Sequence, residues 1–329
     1  MLPREPQVSG RLPRIGAHLP LGNGMVRAVE RAAEIGATAL QVFADNPTAW
    51  KRRAAPPAEL PAFRAALARH DIGPIAIHAA YLINLAGPEP DLAARSAAVL
   101  EAELRAAPGY GARYVNVHIG SHRDTTVAAG IRRLAAAVAR VLGEVDDGPD
   151  AATLVLENSA GGGWTVGTSV AQLARIADAA GRLGVPEGRL GFCLDTAHAW
   201  GAGIRMDHAP AIDRFLDDFE RRIGLERLHL VHFNDSRAER GSRQDRHEHV
   251  GAGRIGPAGL GHLLRQPRLR HATFIAETPG MDEGYDAVNV ARARALLAGE
   301  ILAPLGPEAF ALRGSRSRAP APVEPDGAT

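Results

Sequence analysis

Lysine is almost missing from this chain. Of its 38 lysine and arginine residues, Lys51 is the lone lysine among 329 positions. Chemistry that runs through a Schiff-base lysine therefore has one side-chain candidate, which argues against imine-forming aldolases and lyases. Cysteine is as scarce. Cys193 stands alone, so neither a disulfide framework nor a cysteine-built zinc finger can form. With its thiol expected to be inert, a reducing cytoplasm is the default compartment. No apolar run approaches the roughly 20 residues that cross a bilayer, so no membrane partner is expected. The opening stretch, MLPREPQVSGRLPR, carries charge but not the apolar core of a secretory signal. Net charge is only +1, which does not by itself announce a nucleic-acid partner.

What is present is a chain with 46% hydrophobic residues, enough for a large core. Short β-like runs alternate with Ala/Leu/Arg-rich amphipathic stretches. The runs at 15–19, 39–43, 74–78, 114–118, 153–157, 190–195, 228–233 and 273–277 read as strands. The segments at 25–36, 58–70, 91–107, 125–143, 168–182, 209–223, 257–265 and 285–298 read as the helices that follow them. Eight strand–helix units in this length predict an α/β fold, a (β/α)8 TIM barrel rather than an open doubly wound sheet. No Gly-x-Gly-x-x-Gly follows the first strand, which also argues against a dinucleotide-binding fold. The expected organisation is an irregular segment over 1–13, a single barrel domain over 14–305, and a C-terminal extension over 306–329 that is disordered from 313.

The strand ends carry the chemistry. Successive strands finish at His78, His118, Glu157 and Asp195, then reach His232 and Glu277. Parallel strands of a barrel end on one face, where active sites are built. One histidine at a strand end is usually a structural residue. Six imidazoles and carboxylates from six strands are hard to explain as packing, because such groups are costly to bury unpaired. Bound cations would offset that cost. Asp195 is followed by His198, and Asp245 by His247, the latter pair pointing the same way in an extended segment. Nine candidates, five His, two Asp and two Glu, are too many for one metal. The mixed donor set suits zinc, with manganese or iron as substitutes, and three ions would use it all.

At this point the sequence resembles the endonuclease IV family of apurinic/apyrimidinic (AP) endonucleases, from about residue 14 to about residue 300. The strings that carry the resemblance are IGAH (15–18), HAAYLINLAG (78–87), HIGSH (118–122), ENSAGGG (157–163), CLDTAHAWGAG (193–203), HFNDS (232–236), GSRQDRHEHVGAGRIG (241–256) and ETPG (277–280). The resemblance implies a xylose-isomerase-like barrel with three Zn2+. It gives His78 and His118 to the first ion, with Glu157 bridging to the second. Asp195, His232 and Glu277 complete the second ion, and His198, Asp245 and His247 hold the third. It implies a hydrolase of base-excision repair that cuts double-stranded DNA 5′ to abasic sites and trims blocked 3′ ends. Glu157 and Glu277 are then the catalytic carboxylates, the first positioning the nucleophile and the second accepting its proton. Tyr81, Arg240, Arg243 and Arg246 are candidate DNA contacts. Asn84, Asn234 and His18 are candidates for orienting the metal ligands. A monomer is expected.

Some residues depart from the family pattern. The family carries an arginine that enters the base stack just before the tryptophan at Trp50, and Thr48 stands there instead. Pro20 and Asn23-Gly24 replace a serine and a Gly-Gly pair, Ile119 replaces a proline, and Ala197 replaces a cysteine. Lys51, Arg52 and Arg53 are the nearby cations that could compensate for Thr48. His122 and His249 read as loop residues, and Trp50, Trp164 and Trp200 as packing residues. The competing reading is a sugar or sugar-phosphate isomerase or epimerase on the related barrel, since fold alone does not decide activity. Such an enzyme has no evident need for the set His198, Asp245 and His247.

Overall fold

The structure is a computed structural model, and it describes residues 12–312. Its elements are β1 (Arg14–His18), α1 (Met25–Glu34), β2 (Ala39–Val42), α2 (Leu60–Arg69), β3 (Ile75–His78), α3 (Pro90–Tyr110), β4 (Ala112–His118), α4 (Val127–Glu144), β5 (Thr153–Glu157), α5 (Val170–Arg182), β6 (Leu190–Asp195), α6 (Thr196–Gly201), α7 (Ala209–Arg222), β7 (Leu228–His232), β8 (Asp235–Ser236), β9 (His247–Glu248), α8 (Gly256–Leu264), β10 (Thr273–Ala276) and α9 (Tyr285–Ala298). The parallel strands close in the order β1-β10-β7-β6-β5-β4-β3-β2, and β8 with β9 form a separate antiparallel ribbon. This is the (β/α)8 barrel that the sequence predicts, with every expected strand and long helix present within a few residues. Among the described residues no helix is long and apolar enough to cross a membrane.

Alternation along the strands decides what faces the lumen. Val115, Val117, Leu154, Leu156, Leu194 and Val231 join the main core under the helices. The intervening residues Ala76, Tyr114, Val155, Cys193 and Leu230 form a separate buried cluster. Two positions further along each strand stand His78, Asn116, Glu157, Asp195 and His232. An apolar plug therefore fills the barrel below, and a polar layer sits directly on it at the strand ends. Cys193 belongs to this plug, under the polar layer, and burial pushes its thiol up to about 12.

Register then places candidate ligands side by side. His118 pairs with Glu157 across β4 and β5, and Asp195 pairs with His232 across β6 and β7. Two elements were not legible as separate units. The one-and-a-half-turn helix α6 starts directly at β6, because Asp195 caps it by accepting from the His198 backbone N–H at 2.7 Å. The β8–β9 ribbon returns the long loop after β7 to the barrel mouth, with Ser236 opposite His247.

The chain beyond 305 packs on the barrel as far as it is described. Pro307–Phe310 forms a short 3-10 turn that packs on the barrel domain. Ala309 and Leu312 are buried, and His249 Nε2 donates to the Ala309 carbonyl at 2.8 Å. His249, in the loop directly after β9, is thus a fully buried anchor. The expected disorder from 313, and residues 1–11 of the expected N-terminal segment, lie outside the described residues.

Candidate metal centre

All nine sequence-predicted ligands meet at the barrel mouth. His78, His118 and Glu157 bring their donor atoms within 4.8 Å of one another. Asp195, His232 and Glu277 do the same, as do Asp195, His198 and His247. Asp245 closes the last group: its two oxygens lie 3.1 Å from His198 Nε2 and 3.1 Å from His247 Nε2. Glu157 is the hub. Its Oε2 lies 3.3 Å from His232 Nδ1, 3.6 Å from His118 Nε2 and 3.7 Å from His78 Nε2. Its Oε1 lies 3.1 Å from His198 Nδ1. Asp195 is shared more widely than the sequence reading gives it, because its Oδ2 is also 3.4 Å from His247 Nε2.

The ring orientations are set from behind. The Nδ1–H groups of His78, His198 and His247 donate to the carbonyls of Ala79, Asn158 and Glu277, at 2.7, 2.9 and 2.7 Å. That tautomer leaves each Nε2 with a bare lone pair. His232 is reversed: its Nε2 meets Gln41 Oε1 at 3.0 Å, so its Nδ1 faces the centre. Glu157 Oε1, His232 Nδ1 and His247 Nε2 are buried without a hydrogen-bond partner among the described residues. Orphaned acceptors converging from separate elements are what a set of cations would satisfy, so the residues fit a multinuclear metal site.

The carboxylates are held the same way. Asn234 Nδ2 donates to Asp195 Oδ2 at 2.8 Å, and its Oδ1 accepts from the Glu277 backbone N–H at 2.8 Å. Gln41 Nε2 donates to Glu277 Oε1 at 2.6 Å, and His18 Nδ1 lies 3.0 Å from the same oxygen. Asn116 Nδ2 donates to Glu157 Oε2 at 2.6 Å. Asn234 and His18 thus touch metal-ligand candidates. Asn84 does not: its Oδ1 accepts from Ser121 N at 2.9 Å and shapes the loop after β4, where a Cβ at Gly120 would collide with it. Gln41, Asn116 and Asn158 were missed by sequence reasoning. Gln41 in ALQVF and Asn116 in YVNVH are polar residues inside apolar strands, at positions that face the lumen, and that was a usable signal.

Electrostatics follow from this crowding. Burial, the largest influence on His78, holds its ring down at about 4. Burial also opposes the charged forms of His198, His232 and His247, but neighbouring acidic groups override it and raise all three well above the usual imidazole range. Glu157 and Glu277 are held far below the usual carboxylate range, chiefly by His232 against the cost of burial. Protons and metal ions would compete for one set of atoms. Tyr81, 54% exposed beside this charge, is pushed up to about 12 by partial burial and then by Glu277 and Glu157.

Two cavities open from the centre. One, of about 430 Å³, is lined by Phe43, Tyr81, His247, Glu277 and Met281 among others. The other, of about 560 Å³, runs from His118, His198 and Asp245 out to Trp50, Arg123 and Arg243. Arg243 therefore lines the approach to the centre. Arg240 and Arg246 are exposed on the same loop without lining either cavity. Thr48 is exposed, with N and Oγ1 both bonded to Asn46 Oδ1. Of the tryptophans expected to pack, Trp200 is buried and donates to the Ala238 carbonyl. Trp50 is half-buried at the cavity wall, and Trp164 is 56% exposed, held out by a backbone with φ 64°.

Comparison with known proteins adds the following. Residues 29–298 match the model of the xylose isomerase-like TIM barrel family. A relative named "Probable endonuclease 4" from Methanoculleus marisnigri is 39% identical over 86% of this chain and 98% of its own length. Another of the same name, from Halorhodospira halophila, is 42% identical over 83% of this chain and 91% of its own. The crystal structure of endonuclease IV from Thermus thermophilus superposes with a TM-score of 0.74, at 39% identity, over 87% of this chain and all of that one. A D-tagatose 3-epimerase-like protein superposes with a TM-score of 0.63 at 17% identity, over 87% of this chain and 97% of that one, a likeness of fold alone.

Proposed function

The chain belongs to the endonuclease IV family of xylose isomerase-like TIM barrels, and from that premise we propose that it is an AP endonuclease with a trinuclear zinc centre, acting on double-stranded DNA at abasic sites and blocked 3′ ends. The observation that carries the reading is the third donor set. Asp245, in the loop joining β8 to β9, lies 3.1 Å from both His198 of α6 and His247 of β9, alongside the two sets at the strand ends. A sugar isomerase on the same barrel has no evident use for it.

In this reading His78, His118 and Glu157 hold one ion. Glu157, Asp195, His232 and Glu277 hold the second, and His198, Asp245 and His247 hold the third. Zinc there would supply Lewis acidity toward the phosphate and would acidify water to near neutrality. The chain's own groups do the rest. Glu277 has Oε1 engaged by Gln41 and His18, while Oε2 faces the centre 3.1 Å from His232 Nδ1. Oε2 is the oxygen placed to take a proton from the attacking water. Glu157 is fixed by Asn116, so its two oxygens stay between the ligand histidines. Water oxygen joins the phosphorus 5′ to the abasic sugar as the bond from phosphorus to the 3′ oxygen breaks. The products are a 3′-hydroxyl and a 5′-deoxyribose phosphate. No covalent enzyme intermediate is needed, in keeping with the single lysine. Arg243 and Tyr81 face the approaching strand, with Arg240 and Arg246 further out on the same loop. The enzyme is read as a cytoplasmic monomer, with the barrel over 14–305 as its single catalytic domain.

The test is incision of a duplex carrying one tetrahydrofuran abasic analogue, which excludes lyase chemistry. A cut on its 5′ side leaving a 3′-hydroxyl is expected. A zinc-loaded chain that leaves this duplex intact and instead interconverts ketoses would overturn the reading in favour of an isomerase.

A further inference from the structure

Trp164 is placed where a free-standing protein gains nothing from it. It ends the 3-10 turn Gly162–Trp164 after β5, and it combines 56% exposure with a left-handed backbone at φ 64°, a region that bulky residues rarely adopt. The turn is not loose. Trp164 O accepts from His122 N at 3.1 Å, Ser121 Oγ donates to Gly163 O, and Ser121 pairs with Thr165 as an antiparallel bridge. The indole lies nearly parallel to the His122 ring, at 19° and 6.4 Å between centroids. One face of the indole is therefore backed by an imidazole, and the turn that carries it is held by backbone bonds.

Its surroundings name an occupant. Gly161 and Thr165, on either side of the turn, and Gly162 within it line the 560 Å³ cavity that leads to His118, His198 and Asp245. Arg123 and Arg243 line the same cavity. Arg243 packs against the turn, since a Cβ on Gly161 would stand 3.7 Å from its Cγ. An exposed aromatic ring on this turn, next to a cavity that two arginines line and that leads to a phosphodiesterase centre, suits a nucleotide: a base stacks and its phosphates meet arginine.

We propose that Trp164, backed by His122, is a stacking platform for a base bordering the abasic site, with Arg123 and Arg243 engaging the adjoining phosphates. The proposal rests on the abasic-DNA reading above. It also supplies a base contact that Thr48, with neither ring nor guanidinium, cannot make from the opposite loop. Because every base has a π face, the platform is sequence-tolerant.

The experiment uses the full zinc-loaded chain and a duplex with one tetrahydrofuran analogue, the linkage 5′ to it made a methylphosphonate to prevent cutting. 2-Aminopurine is placed in turn at each base bordering the analogue. Trp164→Ala should weaken binding about tenfold, and Trp164→Phe less than about threefold. At one position 2-aminopurine emission should be quenched by the wild type and restored with Trp164→Ala. Circular dichroism checks that the variants fold. Wild type that cuts an ordinary tetrahydrofuran duplex, beside a folded Trp164→Ala with binding and 2-aminopurine emission unchanged at every position, would overturn the platform alone. Wild type that neither binds nor cuts abasic DNA would overturn the function reading and the platform with it.

Discussion

Arg52 donates from Nη1 to Glu103 Oε1 at 3.1 Å, joining the loop after β2 to α3 in a contact where both side chains are largely buried. The same guanidinium donates from Nη2 to the carbonyls of Asn46 and Ala49. It therefore holds from behind the turn that presents Thr48 and Trp50 at the barrel mouth. Arg53 is tied to Asp45 more loosely: its backbone N–H donates to Oδ2 at 2.6 Å, and its half-exposed guanidinium lies 3.7 Å from the same oxygen. Of the three cations in Lys51-Arg52-Arg53, two are tied into the loop, and Arg52 does not stand in for an arginine at Thr48.

Burial outweighs the attraction of Arg52 and pushes the Glu103 carboxyl up to about 8. Glu103→Gln keeps the acceptor and the volume, and should cost less than about 1 kcal/mol. Glu103→Leu leaves the buried guanidinium only the Asn46 and Ala49 carbonyls, with Nη1 unpaired, and should cost about 3 kcal/mol. Urea unfolding at pH 7 distinguishes them, and limited proteolysis should cut the 45–53 loop faster in the leucine variant. Equal costs for the two substitutions would contradict this account of the pair.

Asn234 links two ligand-bearing strands, through Asp195 Oδ2 and the Glu277 backbone N–H. Asn234→Ala should leave the fold intact but lower zinc affinity by about 10- to 100-fold, the usual loss when a ligand's supporting group is removed. Competition with a chromophoric chelator measures it. Unchanged affinity would mean that Asp195 and Glu277 are positioned by their strands alone.

The strands and their polar ends were legible because alternation and parallel topology leave few places for His78, His118, Glu157, Asp195, His232 and Glu277 to go. The supporting shell was less visible. Gln41 and Asn116 act through the lumen, and their role appears only when β2 and β4 are brought beside Glu277 and Glu157. The burial of the loop residue His249 and the exposure of Trp164 went unseen for opposite reasons. Contacts to Asn289 and Ala309, 40 and 60 residues away in sequence, bury the first. A left-handed turn locked to the loop after β4 exposes the second. Neither is encoded by local pattern. The helix α6 escaped notice because a residue read as a ligand, Asp195, is also its cap.

His229 gives a pH test away from the centre. It stacks on Tyr114 at 5.1 Å and 19°, and burial, followed by His271, Arg113 and Arg227, pushes its ring down to about 4. In the unfolded chain a histidine titrates near 6.5. Between these values the unfolded chain takes up a proton that the folded chain does not, so stability rises with pH from about 4 to about 6.5. With both proteins metal-free, the wild type minus His229→Phe difference in urea midpoint should rise through that window and be flat above it. Parallel profiles would contradict the assignment.

The central claim is that three metal ions, held by the nine residues from His78 to Glu277, carry out the incision. The most direct measurement titrates metal-free protein with zinc, counting bound ions by native mass spectrometry and following incision of the tetrahydrofuran duplex in parallel. Incision should reach its plateau only with the third equivalent, and His247→Ala should stop at two ions and cut very poorly. A plateau at one or two equivalents, or full incision by His247→Ala, would contradict the claim.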